Sequence, residues 1–173
     1  MREETTTRML YTFDELSPEA QEHALNELWD LNVYHDWWDC TYVDAKDTAG
    51  LTITEFDLDG NRRHIKGNFA RGAEETANMI LENHGDQCET YKTAAAFLKD
   101  LADLKEKYPD EDSDEYWEES GEWEDLKKEF LHDILEDYLS LLFENYNYFT
   151  SEEAIKETIK CNEYEFTENG DLA

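Results

Sequence analysis

Residues 51–69 read LTITEFDLDGNRRHIKGNF, and this stretch decides the fold class. Leu51, Ile53 and Glu55 alternate with Thr52, Thr54 and Phe56, the period-two pattern of a strand with one buried face. The turn Asp59-Gly60-Asn61 then leads into a second extended run, which predicts a β-hairpin over 51–70. The segments on either side carry helical periods. One hairpin among helices makes the chain α+β instead of all-α.

Working outward toward the N-terminus, 8–13 (RMLYTF) reads as a short strand. Ser17 then stands as N-cap, with Pro18 at the first helical position and Glu19 in the first turn. Ala20, Ala24, Leu25, Leu28 and Leu31 recur at helical spacing behind it, and a second helix is expected over 34–47 with Trp37, Trp38 and Tyr42 as its bulky residues. Toward the C-terminus, 73–83 is a helix ended by His84 and Gly85. A further helix over 90–108 turns Thr93, Phe97, Leu101 and Leu104 inward and stops at Pro109. The strongest apolar stripe is Leu126, Phe130, Ile134, Leu135, Tyr138, Leu142 and Phe143. Ser151 opens a last helix, and CNEYEFTENGDLA reads as a final strand and turn. The expectation is a single α+β domain over 1–173, with several helices packing a small antiparallel sheet of three or four strands.

At 173 residues the chain can bury one sizeable core, and its aromatic share of 13% argues against wholesale disorder. Charge is the outlier: 45 acids against 15 Lys and Arg leave a net −30. Such a balance repels nucleic acid and anionic membrane, so neither is expected as a direct partner. Three widely spaced cysteines, Cys40, Cys88 and Cys161, suit reduced thiols better than a disulfide framework. The opening MREETTTRML has no apolar run of signal-peptide length, which points to a soluble cytoplasmic protein.

The charge is densest at 109–125, PDEDSDEYWEESGEWED, where ten of seventeen residues are acidic. If helical, residues 110–125 would span ~24 Å, or one charge per ~2.4 Å, against one per ~1.7 Å of axis in duplex DNA. Asp100, Asp103 and Glu106 before it, and Glu129, Asp133, Glu136 and Asp137 after it, continue the acidic face. A basic nucleic-acid-binding protein would meet this surface as it meets a phosphate backbone. The expected partner-binding residues are Asp110, Glu111, Asp112, Asp114, Glu115, Tyr116, Trp117, Glu118, Glu119, Glu122, Trp123, Glu124, Asp125, Glu129 and Asp133. Among them Tyr116, Trp117 and Trp123 would be exposed aromatic anchors. The other reading of 109–125 is a flexible acidic linker docked by its aromatics. Salt adaptation would also give an acidic chain, but ten of the fifteen basic residues are Lys, which salt-adapted proteins tend to shed.

Other chemistry is weakly signalled. DLDGN at 57–61 places Gly60 at position four, where a calcium loop needs it at six, and a hairpin turn explains the glycine. His35, Cys40, His84 and Cys88 contain the elements of a metal site, which would support a small metal-dependent enzyme, but no close spacing joins them. No GxSxG, phosphate loop or HExxH occurs. The chain is therefore expected to be no enzyme and to need no metal or cofactor.

YTFDELSPEAQEHAL, ITEFDLDG, NHGDQCETYKTA and TSEEAIKETIKCNEYEFTENG occur in an order that resembles a group of small acidic accessory proteins of bacteriophages and mobile elements. The likeness covers nearly the whole chain except the region around 109–125, and it carries no active-site residues. It implies action inside a bacterial host cell. With the charge, the expected function is inhibition of a host defence nuclease or CRISPR effector by nucleic-acid mimicry. An antitoxin or immunity protein that neutralises a basic toxin by shape is the alternative.

Overall fold

The computed structural model describes residues 8–107 and 121–173. In chain order its elements are β1 (Tyr11–Thr12), a 3-10 turn at Phe13–Glu15, α1 (Pro18–Glu27), α2 (Asp39–Asp47) and β2 (Leu51–Asp57). A 3-10 turn at Gly60–Arg62, β3 (His64–Phe69), α3 (Ala73–Asn83) and α4 (Glu89–Lys107) follow, then α5 (Gly121–Phe149), α6 (Glu152–Cys161) and β4 (Glu165–Phe166). This is the expected α+β order, dominated by helices. The four strands form two antiparallel ribbons instead of one sheet: β1 pairs with β4, and β2 with β3. The chain folds into two compact units, Trp38–Phe143 and the residues through Trp37 together with Glu144–Ala173, and each ribbon belongs to one of them. No helix among the described residues is long and apolar enough to cross a membrane.

In the unit Trp38–Phe143 the hairpin is present, with one departure from simple alternation. A bulge between Ile53 and Glu55 sets Ile53 opposite Gly67 but Glu55 opposite Lys66. The extra residue changes parity, so Phe56 and not Glu55 turns to the aromatic side. There Phe56 meets Trp38 at 5.7 Å and Tyr42 at 6.1 Å, while Glu55 pairs with His64 and Lys66 at the surface. At the turn, the Asp57 carboxylate accepts the Asp59 N–H at 2.8 Å, and Gly60 supplies a positive φ of 42°.

Beneath the hairpin lie Ile80 of α3, Phe97, Leu101 and Leu104 of α4, and Phe130, Ile134 and Tyr138 of α5, all buried. Phe130 stacks on Phe97 at 4.2 Å and on Phe69 at 5.6 Å. Gly67 marks the closest approach: a Cβ there would meet the Thr52 carbonyl at 2.7 Å and Leu135 at 2.9 Å. Glycine lets the hairpin settle onto α5.

In the other unit, local signals act as expected. Ser17 accepts the Ala20 N–H at 3.2 Å and Ser151 accepts the Ala154 N–H at 3.3 Å, capping α1 and α6. Ala20 and Ala24 pack with Ile155, Ile159, Phe13 and Phe166. The strand expected over 8–13 is confined to Tyr11–Thr12 because the Glu15 carboxylate reaches back to the Thr12 N–H at 2.8 Å. That closes a 3-10 turn and sends Phe13 inward, edge-on to Phe166 at 6.2 Å.

The helix expected from residue 34 begins only at Asp39. Trp37 takes Tyr146 and Phe149 as ring partners, at 5.6 and 6.4 Å, whereas Trp38 takes Phe56. Successive tryptophans serving different cores leave no single helical face to bury.

Candidate functional site

The expected acidic surface is partly placed. Asp110, Glu111, Asp112, Asp114, Glu115, Tyr116, Trp117, Glu118 and Glu119 lie outside the described residues. Glu122, Trp123, Glu124, Asp125, Glu129 and Asp133 lie in the N-terminal half of α5. Its apolar stripe Trp123, Leu126, Phe130 and Ile134 recurs at three- and four-residue steps. The acids Glu122, Asp125, Glu129 and Asp133 repeat the same steps one residue earlier. One residue is about 100° of helical turn, so the acidic row runs beside the apolar one, at the edge of the core.

Trp123 differs from its expected place. It is half-buried against the core, 6.3 Å from Phe97, with the Lys127 ammonium 5.3 Å from its ring centre. Its position on the inward stripe is the reason: a tryptophan in register with Leu126 and Phe130 gains more by packing than by standing in water.

The acidic row forms one wall of a groove. Thr93 donates to Asp137 at 2.7 Å, Phe97 stacks on Phe130, and Lys107 reaches Glu122 at 3.0 Å. These contacts run in opposite order along the two helices, so α4 and α5 are antiparallel neighbours. Two adjoining cavities of about 300 and 390 Å³ lie along the seam, sharing Asp100, Leu126 and Glu129. Ala96, Leu104 and Leu126 provide apolar lining. Asp100 and Asp103 line it from α4, and Asp125, Glu129 and Asp133 from α5.

Among the described residues, Lys92 and Lys107 line this groove, and Lys128 lies 3.9 Å from the wall acid Asp125. Lys92 is paired with Glu89 at 2.7 Å and Lys107 with Glu122 at 3.0 Å. Among the described residues, Asp100, Asp103, Glu129 and Asp133 make no ion pair. Asp137, beside this row, registers the crowding. Burial pushes its pKa above the ordinary aspartate value, the Thr93 hydrogen bond opposes that, and repulsion from Glu89 and Asp133 adds to it. The arrangement is a negatively charged trough with an apolar base, suited to holding a cationic side chain by its stem and its head.

The acids of this groove were legible in sequence as a run of charge. The apolar base was not, because Ala96 and Leu126 lie 30 residues apart in the chain, on different helices. The run Ala94-Ala95-Ala96 is the one local hint, since small side chains on a helix leave room beside it.

Both ring nitrogens of His84 are engaged, with Thr48 at 2.9 Å and Thr90 at 2.7 Å. Cys40 and Cys88 are exposed free thiols, and His35 lies edge-on to the Tyr34 ring at 4.9 Å. Among the described residues, no three or more His, Cys, Asp or Glu side chains converge as metal ligands would. No protein family, curated protein or solved structure matches the chain.

Proposed function

We propose that this protein is an inhibitor of the phage or mobile-element type. It binds a basic, nucleic-acid-handling protein in the cytoplasm of a bacterial host, of the defence-nuclease or CRISPR-effector kind, and occludes the surface that would hold DNA or RNA. The observation that carries the reading is the trough between α4 and α5, where Asp100, Asp103, Glu129 and Asp133 line the walls beside an apolar base and, among the described residues, make no ion pair. Carboxylates in that condition gain most from a partner's Arg and Lys, as phosphates do. The resemblance of the chain's segments to phage accessory proteins supplies the biological setting. Catalysis plays no part in such a role.

The test is affinity capture from bacterial lysate, followed by competition. The captured protein should bind nucleic acid, and adding this protein should displace the nucleic acid. The quadruple variant Asp100→Lys, Asp103→Lys, Glu129→Lys, Asp133→Lys should lose both effects while keeping its helical circular dichroism. A captured partner that holds nucleic acid and this protein at once would sink the proposal. Rising salt separates it from neutralisation by shape, because a mimic loses its partner steeply.

A further inference from the structure

The trough has a finer geometry than a diffuse acidic face. Its two cavities share Asp100 of α4 with Leu126 and Glu129 of α5. A side chain seated there has a carboxylate on either hand and an apolar base. The acids of the α5 wall are spaced by three and four residues, or about 4.5–6 Å. The basic face of a third α-helix lying along the seam repeats at that same interval.

We infer that the groove between α4 and α5 takes an arginine-bearing α-helix of the partner, with one arginine seated at Asp100, Leu126 and Glu129. This rests on the function proposed above and names the part of the partner engaged. Two comparisons favour it. The DNA major groove is a trough, walled by anionic rows, that admits an α-helix, and the helices that enter it carry Arg on one face. A groove with acidic walls of helical pitch offers such a helix a similar seat. Arginine is favoured over lysine because guanidinium is weakly hydrated and its planar fork can serve carboxylates on both walls, while ammonium holds its water more tightly. The base matters as much as the walls, since the arginine stem packs on Leu126 and Ala96.

Ala96 supplies the discriminating variant. It lies exposed on α4 and lines the groove, so Ala96→Tyr fills the base without changing any charge. The probe is a fluorescein-labelled amphipathic helical peptide of about 16 residues, long enough to span the acidic row, with Arg on its polar face. A matched peptide carries Lys at every Arg position. Fluorescence anisotropy should show the Arg peptide binding about tenfold more tightly than the Lys peptide, with Ala96→Tyr costing the Arg peptide about tenfold. The variant pair Asp100→Asn, Glu129→Gln should narrow the Arg-to-Lys ratio toward one. Equal affinity for the two peptides, with Ala96→Tyr silent, would overturn the inference. In that case weaker binding of both peptides to the Asp100→Asn, Glu129→Gln protein would leave the acidic-face function standing. Absence of binding by either peptide at low salt would overturn both.

Discussion

Through its buried hydroxyl, Tyr138 donates a 2.8 Å hydrogen bond to the Asp44 carboxylate, joining α5 to α2. Burial first, and then the Asp44 charge, push the phenol pKa far above its ordinary value, so the hydroxyl remains a donor. Asp44 also accepts from the Thr48 hydroxyl at 2.9 Å, which in turn contacts His84. This chain of polar groups ties α2, the end of α3 and α5 together.

Removing the donor and removing the acceptor should have unequal effects. Tyr138→Phe should cost about 1–2 kcal/mol, because Asp44 keeps Thr48 and access to water. Asp44→Ala should cost about 2–3 kcal/mol, since it removes the carboxylate acceptor of a buried hydroxyl. The double variant should lose less than the sum, as expected for contacting residues. Urea unfolding measures all three, and strict additivity would mean that the bond does not couple the helices.

Gly67→Ala should destabilise by about 1–3 kcal/mol, although alanine is ordinarily better tolerated in regular structure. A Cβ would press on the Thr52 carbonyl and on Leu135 together, and the backbone oxygen cannot give way. The drop in thermal midpoint should be about the same at low and high salt, because the clash is steric. A neutral or stabilising result would show that the hairpin does not sit this closely on α5.

Asp137→Asn should stabilise the protein at neutral pH. The folded-state pKa of Asp137 is raised, so the folded state holds its proton more tightly than the unfolded chain does. Stability therefore falls as pH rises from the ordinary aspartate value near about 4 through the folded pKa, and the penalty is full above it. Asparagine keeps an acceptor for Thr93 and carries no charge. Thermal melts should show the variant ahead of the parent at pH 7 and level with it at about pH 3, where both carboxyl forms are protonated. An equal advantage at both pH values would point to packing instead of charge.

Added salt should raise the melting temperature. With a net charge of −30, folding brings carboxylates closer together, and screening relieves that repulsion. The gain should come mostly between about 10 and 150 mM NaCl, where the Debye length falls from roughly 30 to 8 Å. The quadruple lysine variant of the groove should respond less, because four acids become four cations. A melting temperature independent of salt would show that the acids are too far apart to interact.

What the amino-acid sequence determined by itself was mostly local. Ser17 and Ser151 announce helix starts because each cap bond closes within three residues, and it forms whatever the rest of the chain does. The hairpin over 51–69 and the inward stripe through Phe130, Ile134 and Tyr138 are legible for the same reason, since a repeat of two or 3.6 residues is written along one segment. Tertiary structure decided what depends on distant partners. The bulge before Glu55 turns Phe56 toward Trp38 and Tyr42, a choice that alternation alone cannot express. Trp123 looks like an exposed anchor beside its acidic neighbours, and becomes part of the core because Phe97 lies opposite it. Charge could be counted from residue to residue, but the groove that Asp100 and Glu129 both line exists only once α4 and α5 pack side by side. That pairing is set by burial of side chains far apart in the chain, which no local periodicity specifies.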